Sequence, residues 1–168
     1  KKLHYIKELP SAIPYVTSYY KRDWGFCISY NEFKTLDKKS TFTVKIESSL
    51  DENGFLNYGE LLIEGKSKKE IFFSSYICHP QMVNNELSGP SVLTGIAKKI
   101  LSKNNYFSYR FILVPETIGS IVYLCKNLKQ LKNNVIGGYN ITCVGDERSW
   151  GLIPSRYGNN ISDSIAEH

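Results

Sequence analysis

The sequence predicts an α/β fold: a mixed, largely parallel sheet with flanking helices, plus a small β-hairpin region. Two observations carry that prediction. From residue 70 onward, short apolar runs suited to strands alternate with stretches of helical periodicity, the rhythm of βαβ units with right-handed crossovers. Three of those runs, IFFSSYI, YRFILVP and ITCVG, also lead to a polar residue, His79, Glu116 and Asp146 respectively. Parallel strands would gather one imidazole and two carboxylates along one sheet edge, where open α/β folds place their active sites.

Taken in order, residues 4–36 are rich in aromatics, contain Pro10 and Pro14, and read as an irregular segment with short helices around 29–36. TFTVKIESS (41–49) alternates apolar and polar residues as a half-buried strand does, DENG (51–54) is a turn, and FLNYGELLIEG (55–65) resumes strand character, so a hairpin is expected within 37–66. EIFFSSYI (70–77) is a strand. SGPSVLTGIAKKILSK (88–103) carries Val92, Ile96, Ile100 and Leu101 at helical spacing. YRFILVP (109–115) is nearly all apolar, as a strand buried on both faces must be. A second helix is expected over 119–132, with Ile121, Leu124 and Leu128 on one face, then a strand over 135–145 and a last helix from about 160.

With 168 residues and 42% hydrophobic content, the chain suits a single domain, residues 1–168, with an ordinary core. It starts at Lys1 and stops within SDSIAEH, and it reads as a piece of a longer polypeptide. The formal charge of +5 comes mainly from scattered lysines, which argues against nucleic acid as a partner, since that calls for clustered charge. Cys27, Cys78, Cys125 and Cys143 are widely spaced, with no CxxC pair, and read as reduced thiols of a cytoplasmic protein. No apolar run approaches the ~20 residues of a membrane span, so no membrane partner is expected.

The candidate site residues each carry an alternative. His79 directly follows a strand and precedes Pro80, and the polar loop NNELSG comes next. Within that loop Asn85, Glu86 and Ser88 suit either helix caps or a site at a helix start. Glu116 is either a functional carboxylate or a first-turn residue stabilised by the helix dipole. Asp146, beside Glu147 and Arg148, has the company of a solvated turn. Cys78 and His79 are neighbours in an extended segment and point apart, which makes them a poor catalytic pair. Cys27 and Cys143, in apolar surroundings, read as inert core thiols.

The stretches PSAIPYVTSYYKRDWGFCIS, SSYICHPQMVNNELSGPSVLTGIAKKI, YRFILVPETIGSIVYL and TCVGDERSWGLIPSRYGN resemble the uncharacterised aminopeptidase-like proteins found in surface-polysaccharide biosynthesis loci. Those are similar to zinc-dependent exopeptidases of the bacterial leucyl aminopeptidase type, and the resemblance implies a zinc-exopeptidase-like (phosphorylase/hydrolase-like) fold. It further implies a site of one or two zinc ions. His79 matches the first metal-binding histidine, Asn85 falls at the bridging aspartate of a DNxSG-like motif, and Asp146 matches a later aspartate. Glu116 matches the region of the general base. Asn85 offers a carbonyl oxygen but no charge, while Glu86 beside it carries one; a single glutamate stands where those enzymes have two, and their last histidine has no counterpart. The implied activity is metal-dependent hydrolysis of an amide or peptide bond in a small peptide or aminoacyl-type substrate, with Tyr19, Tyr20 and Trp24 as candidate cleft residues. The alternative is a peptidase fold that has lost part of its site and serves as a binding or scaffold module in glycan assembly.

Overall fold

The computed structural model describes residues 2–16, 22–49, 51–79, 82–149 and 151–168. Where the sequence suggests one domain, the chain divides into two compact units, Lys1–Leu50 and Asp51–His168.

In the first unit, strands β1 (Leu3–His4) and β2 (Phe26–Cys27) pair in parallel, Leu3 opposite Phe26. Helix α1 (Tyr30–Thr35) starts where it does because Ser29 Oγ accepts the Glu32 N–H at 3.1 Å while the Glu32 carboxylate accepts the Ser29 N–H at 3.0 Å. That reciprocal box satisfies two donors left free at the helix start. Tyr5 stacks on Phe33 with ring centroids 4.1 Å apart, so some of this segment's aromatics are packing partners. Tyr19 and Tyr20 lie outside the described residues. Trp24 is half exposed, with Lys2 Nζ 5.3 Å from its ring centroid.

Residues 41–49, expected to form one arm of a hairpin, contain no strand, and Phe42, Val44 and Ile46 are exposed. The turn at 51–54 does form, with Asp51 Oδ1 accepting the Asn53 N–H at 2.9 Å. Beyond it β3 (Gly59–Ile63) pairs antiparallel with β5 (Ser108–Val114), Gly59 opposite Leu113. Alternating polarity tells which face of a strand needs cover; it does not name the strand that pairs with its edge.

The remaining elements of the second unit follow the expected alternation. β4 (Glu70–Tyr76) leads through a π-helical turn (Val83–Leu87) into α2 (Ser88–Leu101), then β5, α3 (Ile118–Asn134), β6 (Val135–Asn140) and α4 (Ile161–Ala166). The sheet order is β3-β5-β4-β6, with β4 parallel to both β5 and β6. Since successive strand residues face opposite sides, β5 supplies two cores. Phe111 packs with Ile63, Leu93 and Ala97 on the α2 side; Ile112 and Val114 pack with Tyr123 and Leu131 on the α3 side. The two helices therefore cover opposite faces. The chain leaves β4 for its neighbour β5 by way of α2, then crosses back over β4 to β6 by way of α3. That reversal makes the carboxyl ends of β4 and its neighbours the edge where open α/β folds place ligands, with the switch point between β4 and β6.

A polar cluster lies inside the unit. Arg110 of β5, 4% exposed, donates through Nε at 2.5 Å and Nη2 at 3.0 Å to Glu70 of β4, itself 3% exposed, and its Nη1 pairs with Glu60 of β3. From α3, the Tyr123 hydroxyl donates to Glu60 at 2.9 Å and Asn134 Nδ2 donates to Glu70 at 3.0 Å. The Arg110 hydrogen bond holds the Glu70 carboxyl below its ordinary value. Burial, aided by Glu60, pushes the Tyr123 hydroxyl up to about 12. These bonds also set the rotation of α3. Its buried residues are Gly119, Tyr123 and Leu131, while the stripe of Ile121, Leu124 and Leu128, apolar enough to read as a core face, is about half exposed.

Arg110→Met would leave Glu70 buried without its cation, and urea unfolding should show a loss of about 3–5 kcal/mol. Adding Glu70→Leu should recover part of that loss; an Arg110→Met protein as stable as wild type would contradict the arrangement. Because the folded-state carboxyl is depressed, Glu70 contributes its full stabilisation above its ordinary value of 4.5 and loses it as pH falls through the lower folded value. The acid limb of a stability-versus-pH curve should therefore flatten in Glu70→Gln.

Candidate active site at the carboxyl ends of the parallel strands

At the end of β4 the ladder continues one residue further, the Ile77 N–H donating to the Val114 carbonyl at 2.9 Å. The next N–H, of Cys78, goes to Glu86 Oε2 at 2.8 Å. Glu86 sits in the π-helical turn at 2% exposure, and its other oxygen, Oε1, is buried with no hydrogen-bond partner among the described residues. A π-helical turn at the mouth of an α-helix is a recurrent feature of functional sites. Here it aims a carboxylate inward from a segment whose neighbours Asn84 and Leu87 are exposed.

The rest of NNELSG binds the segment after β6. Asn84 Oδ1 accepts the Gly145 N–H at 2.8 Å, Ser88 Oγ accepts the Val144 N–H at 3.0 Å, and Asn85 Nδ2 donates to Cys143 Sγ at 3.4 Å. None of these side chains caps the π-helical turn or α2; the motif works as a clamp between loops. Gly89 belongs to that clamp, because a Cβ there would lie 2.2 Å from Ser75 Oγ and 2.3 Å from the Ile141 carbonyl oxygen.

Glu116 leaves β5 with its side chain exposed. Its N–H donates to Cys78 Sγ at 2.7 Å, and its carbonyl accepts the Ile118 N–H at 2.6 Å across Thr117, whose φ of 57° and ψ of −69° describe a γ-turn of the rare, strained hand. Cys143, at φ 53°, is the other non-glycine residue with positive φ among the described residues. Two such residues at one sheet edge mark stored strain of order 1–3 kcal/mol each. Cys143 is also exposed rather than a core thiol. Hydrogen bonds with Thr142, then Tyr76 and Asn85, hold its thiol below the ordinary value.

Asp146 is engaged by its neighbour: the Arg148 backbone N–H and Nε each donate to Oδ1 at 2.9 Å, and Nη2 pairs with Oδ2. The Arg148 hydrogen bonds hold the Asp146 carboxyl below its ordinary value. His79 is exposed, and Pro80 after it lies outside the described residues. Among the described residues, no group of three or more His, Cys, Asp or Glu side chains comes together in a way that could hold a metal ion. The fold thus joins Glu86, Cys78 and Glu116 through hydrogen bonds, joins Asn85 to Cys143, and occupies Asp146 with Arg148. An open hollow of about 430 Å³ along β6, lined in part by Tyr139, Asn160 and Ser162, includes none of the expected site residues.

Cys78 escapes a reading of the sequence that tests it only against its neighbour His79. The signal lies in the pairing of β4 with β5: Tyr76 stands opposite Val114, so two residues further on Cys78 stands level with Glu116.

A family model described as a domain of unknown function, DUF4910, matches residues 8–168. The chain belongs to the DUF4910 family. Over 165 residues, 98% of this DUF4910 chain, it is 43% identical to a protein of Clostridium acetobutylicum named "Putative polysaccharide biosynthesis protein with aminopeptidase-like domain". A crystal structure of a "putative peptidase" from Clostridium acetobutylicum matches 99% of the chain with a TM-score of 0.75 and 43% identity. The chain spans 37% of the length of that relative and 39% of that solved chain. No helix among the described residues is long and apolar enough to cross a membrane.

Two glycines of α2 test the clamp. Gly89→Ala should destabilise by about 1–3 kcal/mol in urea unfolding, because the methyl must displace backbone. Gly95, where an added methyl would meet nothing within 4 Å, should gain roughly 0.5–1 kcal/mol on substitution by Ala.

Proposed function

We propose that this chain contributes to a hydrolase of the aminopeptidase type, with a zinc-exopeptidase-like fold, that cleaves an amide or peptide bond in a small peptide or aminoacyl-type substrate. The observation that carries this reading is the buried Glu86 carboxylate, one oxygen unpartnered among the described residues, linked through Cys78 to the exposed Glu116 at the carboxyl ends of β4 and β5. A buried carboxylate oxygen left without a donor is costly, and such groups gather where a cation or a substrate donor is to be received. The relative named for an aminopeptidase-like domain supports the reaction class.

Glu116 is the general base. Its carboxylate takes the proton of the attacking water and returns it to the leaving amine. Glu86 anchors the Cys78 main chain beneath these strand ends. Among the described residues the donors do not by themselves complete a metal site: Asn85 is neutral and tied to Cys143, and Asp146 is tied to Arg148. Zinc, the ion implied by the aminopeptidase resemblance, would need ligands beyond these.

A panel of aminoacyl p-nitroanilides, assayed with and without added zinc, tests the proposal. Hydrolysis is expected, with kcat lowered about 10²- to 10⁴-fold in Glu116→Gln and the melting temperature little changed. Absence of hydrolysis in every condition, or a fully active Glu116→Gln protein, would overturn it.

A further inference from the structure

We infer that Cys78 is a positioning residue for Glu116, the middle member of a relay from the buried Glu86 carboxylate to the main chain of the candidate base. The inference rests on Glu116 acting as the base in the proposed hydrolysis.

In a parallel pair, a residue on one strand donates to the carbonyl before its opposite number and accepts from the N–H after it. Ile77 donates to the Val114 carbonyl, so a regular ladder would bring the Glu116 N–H to the Ile77 carbonyl. That N–H is given instead to Cys78 Sγ at 2.7 Å. The sulfur replaces the last rung, and its own residue is anchored, since the Cys78 N–H donates to Glu86 Oε2 at 2.8 Å. On its other side Glu116 is closed by the γ-turn at Thr117, through the Ile118 N–H at 2.6 Å. Both main-chain polar groups of Glu116 are therefore held while its carboxylate stays exposed. Thr117 is β-branched and stands at positive φ, a conformation that persists only when its surroundings over-determine it. The Cys78 contact is the constraint on the strand side of that turn.

Cys78 is itself exposed and belongs to neither buried cluster of the sheet. Truncating it opens no core cavity, so its effect should be felt in the placement of Glu116 rather than in global stability. Misplacement of a reacting group by even 1 Å can cost up to about a hundredfold in rate. Cys78→Ala removes the acceptor, whereas Cys78→Ser replaces sulfur with a hydroxyl oxygen that can accept the same N–H.

The experiment combines kinetics of the two variants with amide hydrogen exchange at Glu116. Cys78→Ala should lower kcat roughly tenfold or more with KM within about twofold, keep the wild-type melting temperature, and lose protection of the Glu116 amide; Cys78→Ser should recover both kcat and protection. A Cys78→Ala protein with wild-type kcat, or with an equally protected Glu116 amide, overturns the inference. Should the wild type itself hydrolyse nothing, the proposed function fails on its own, and the exchange measurement still decides the relay: loss of protection in Cys78→Ala upholds it, unchanged protection refutes it. Should Cys78→Ala not fold, Cys78→Ser decides, since a folded Cys78→Ser protein with an unprotected Glu116 amide and reduced kcat refutes acceptance by this side chain.

Discussion

A guanidinium buried in a sheet cannot be left without counter-charge, and Arg110 imposes that requirement on the whole second unit. Its fork takes both oxygens of Glu70 and reaches Glu60, which ties the central strand β5 to a neighbour on each side. Bidentate pairing of this kind demands planarity and register as well as proximity. The same two carboxylates accept hydrogen bonds from Tyr123 and Asn134, so the rotation of α3 answers to the ion pair and not to its apolar stripe alone. Breaking a buried pair is far more damaging than never having built one. A cluster held on those terms acts as a register pin for the fold.

The carboxyl end of the sheet inherits its geometry from that pin. Once β4 and β5 are in register, Cys78 stands level with Glu116, and α2 and α3 diverge to opposite faces above them. This edge is furnished mostly with side chains that hold main-chain groups: Glu86 on Cys78, Asn84 on Gly145, Ser88 on Val144. Such bonds place loops accurately, and strain at Thr117 and Cys143 collects where loops are most constrained.

The NNELSG loop shows why the site was harder to read than the fold. As a string it offers helix caps or metal ligands, and Asn85 is the residue that weakens the second choice. In the fold its side chains cap neither the π-helical turn nor α2, and they tie loops together instead. Asp146 differs again. Its company, Glu147 and Arg148, already suggested a solvated turn, and the Arg148 side chain takes both of its oxygens.

What the sequence by itself determined is the order and kind of the elements from residue 70 onward, since apolar periodicity reports how each segment will be covered, and the bounds of β4, α2, β5 and α3 agree with that pattern to within about two residues. It also marked the polar residues that follow β4 and β5, whereas ITCVG forms no strand and Asp146 lies beyond the end of β6 at Asn140. Only the tertiary structure decided which edges pair, so that β3 joined β5 and residues 41–49 formed no strand; which stripe of α3 faces in; and which of the strand-end residues meet. Those are questions of partnership between distant stretches of chain, 40 positions apart for Glu70 and Arg110 and 38 for Cys78 and Glu116. Local periodicity is blind to them because hydrogen bonds and ion pairs between strands depend on register, and register exists only once the chain has closed on itself.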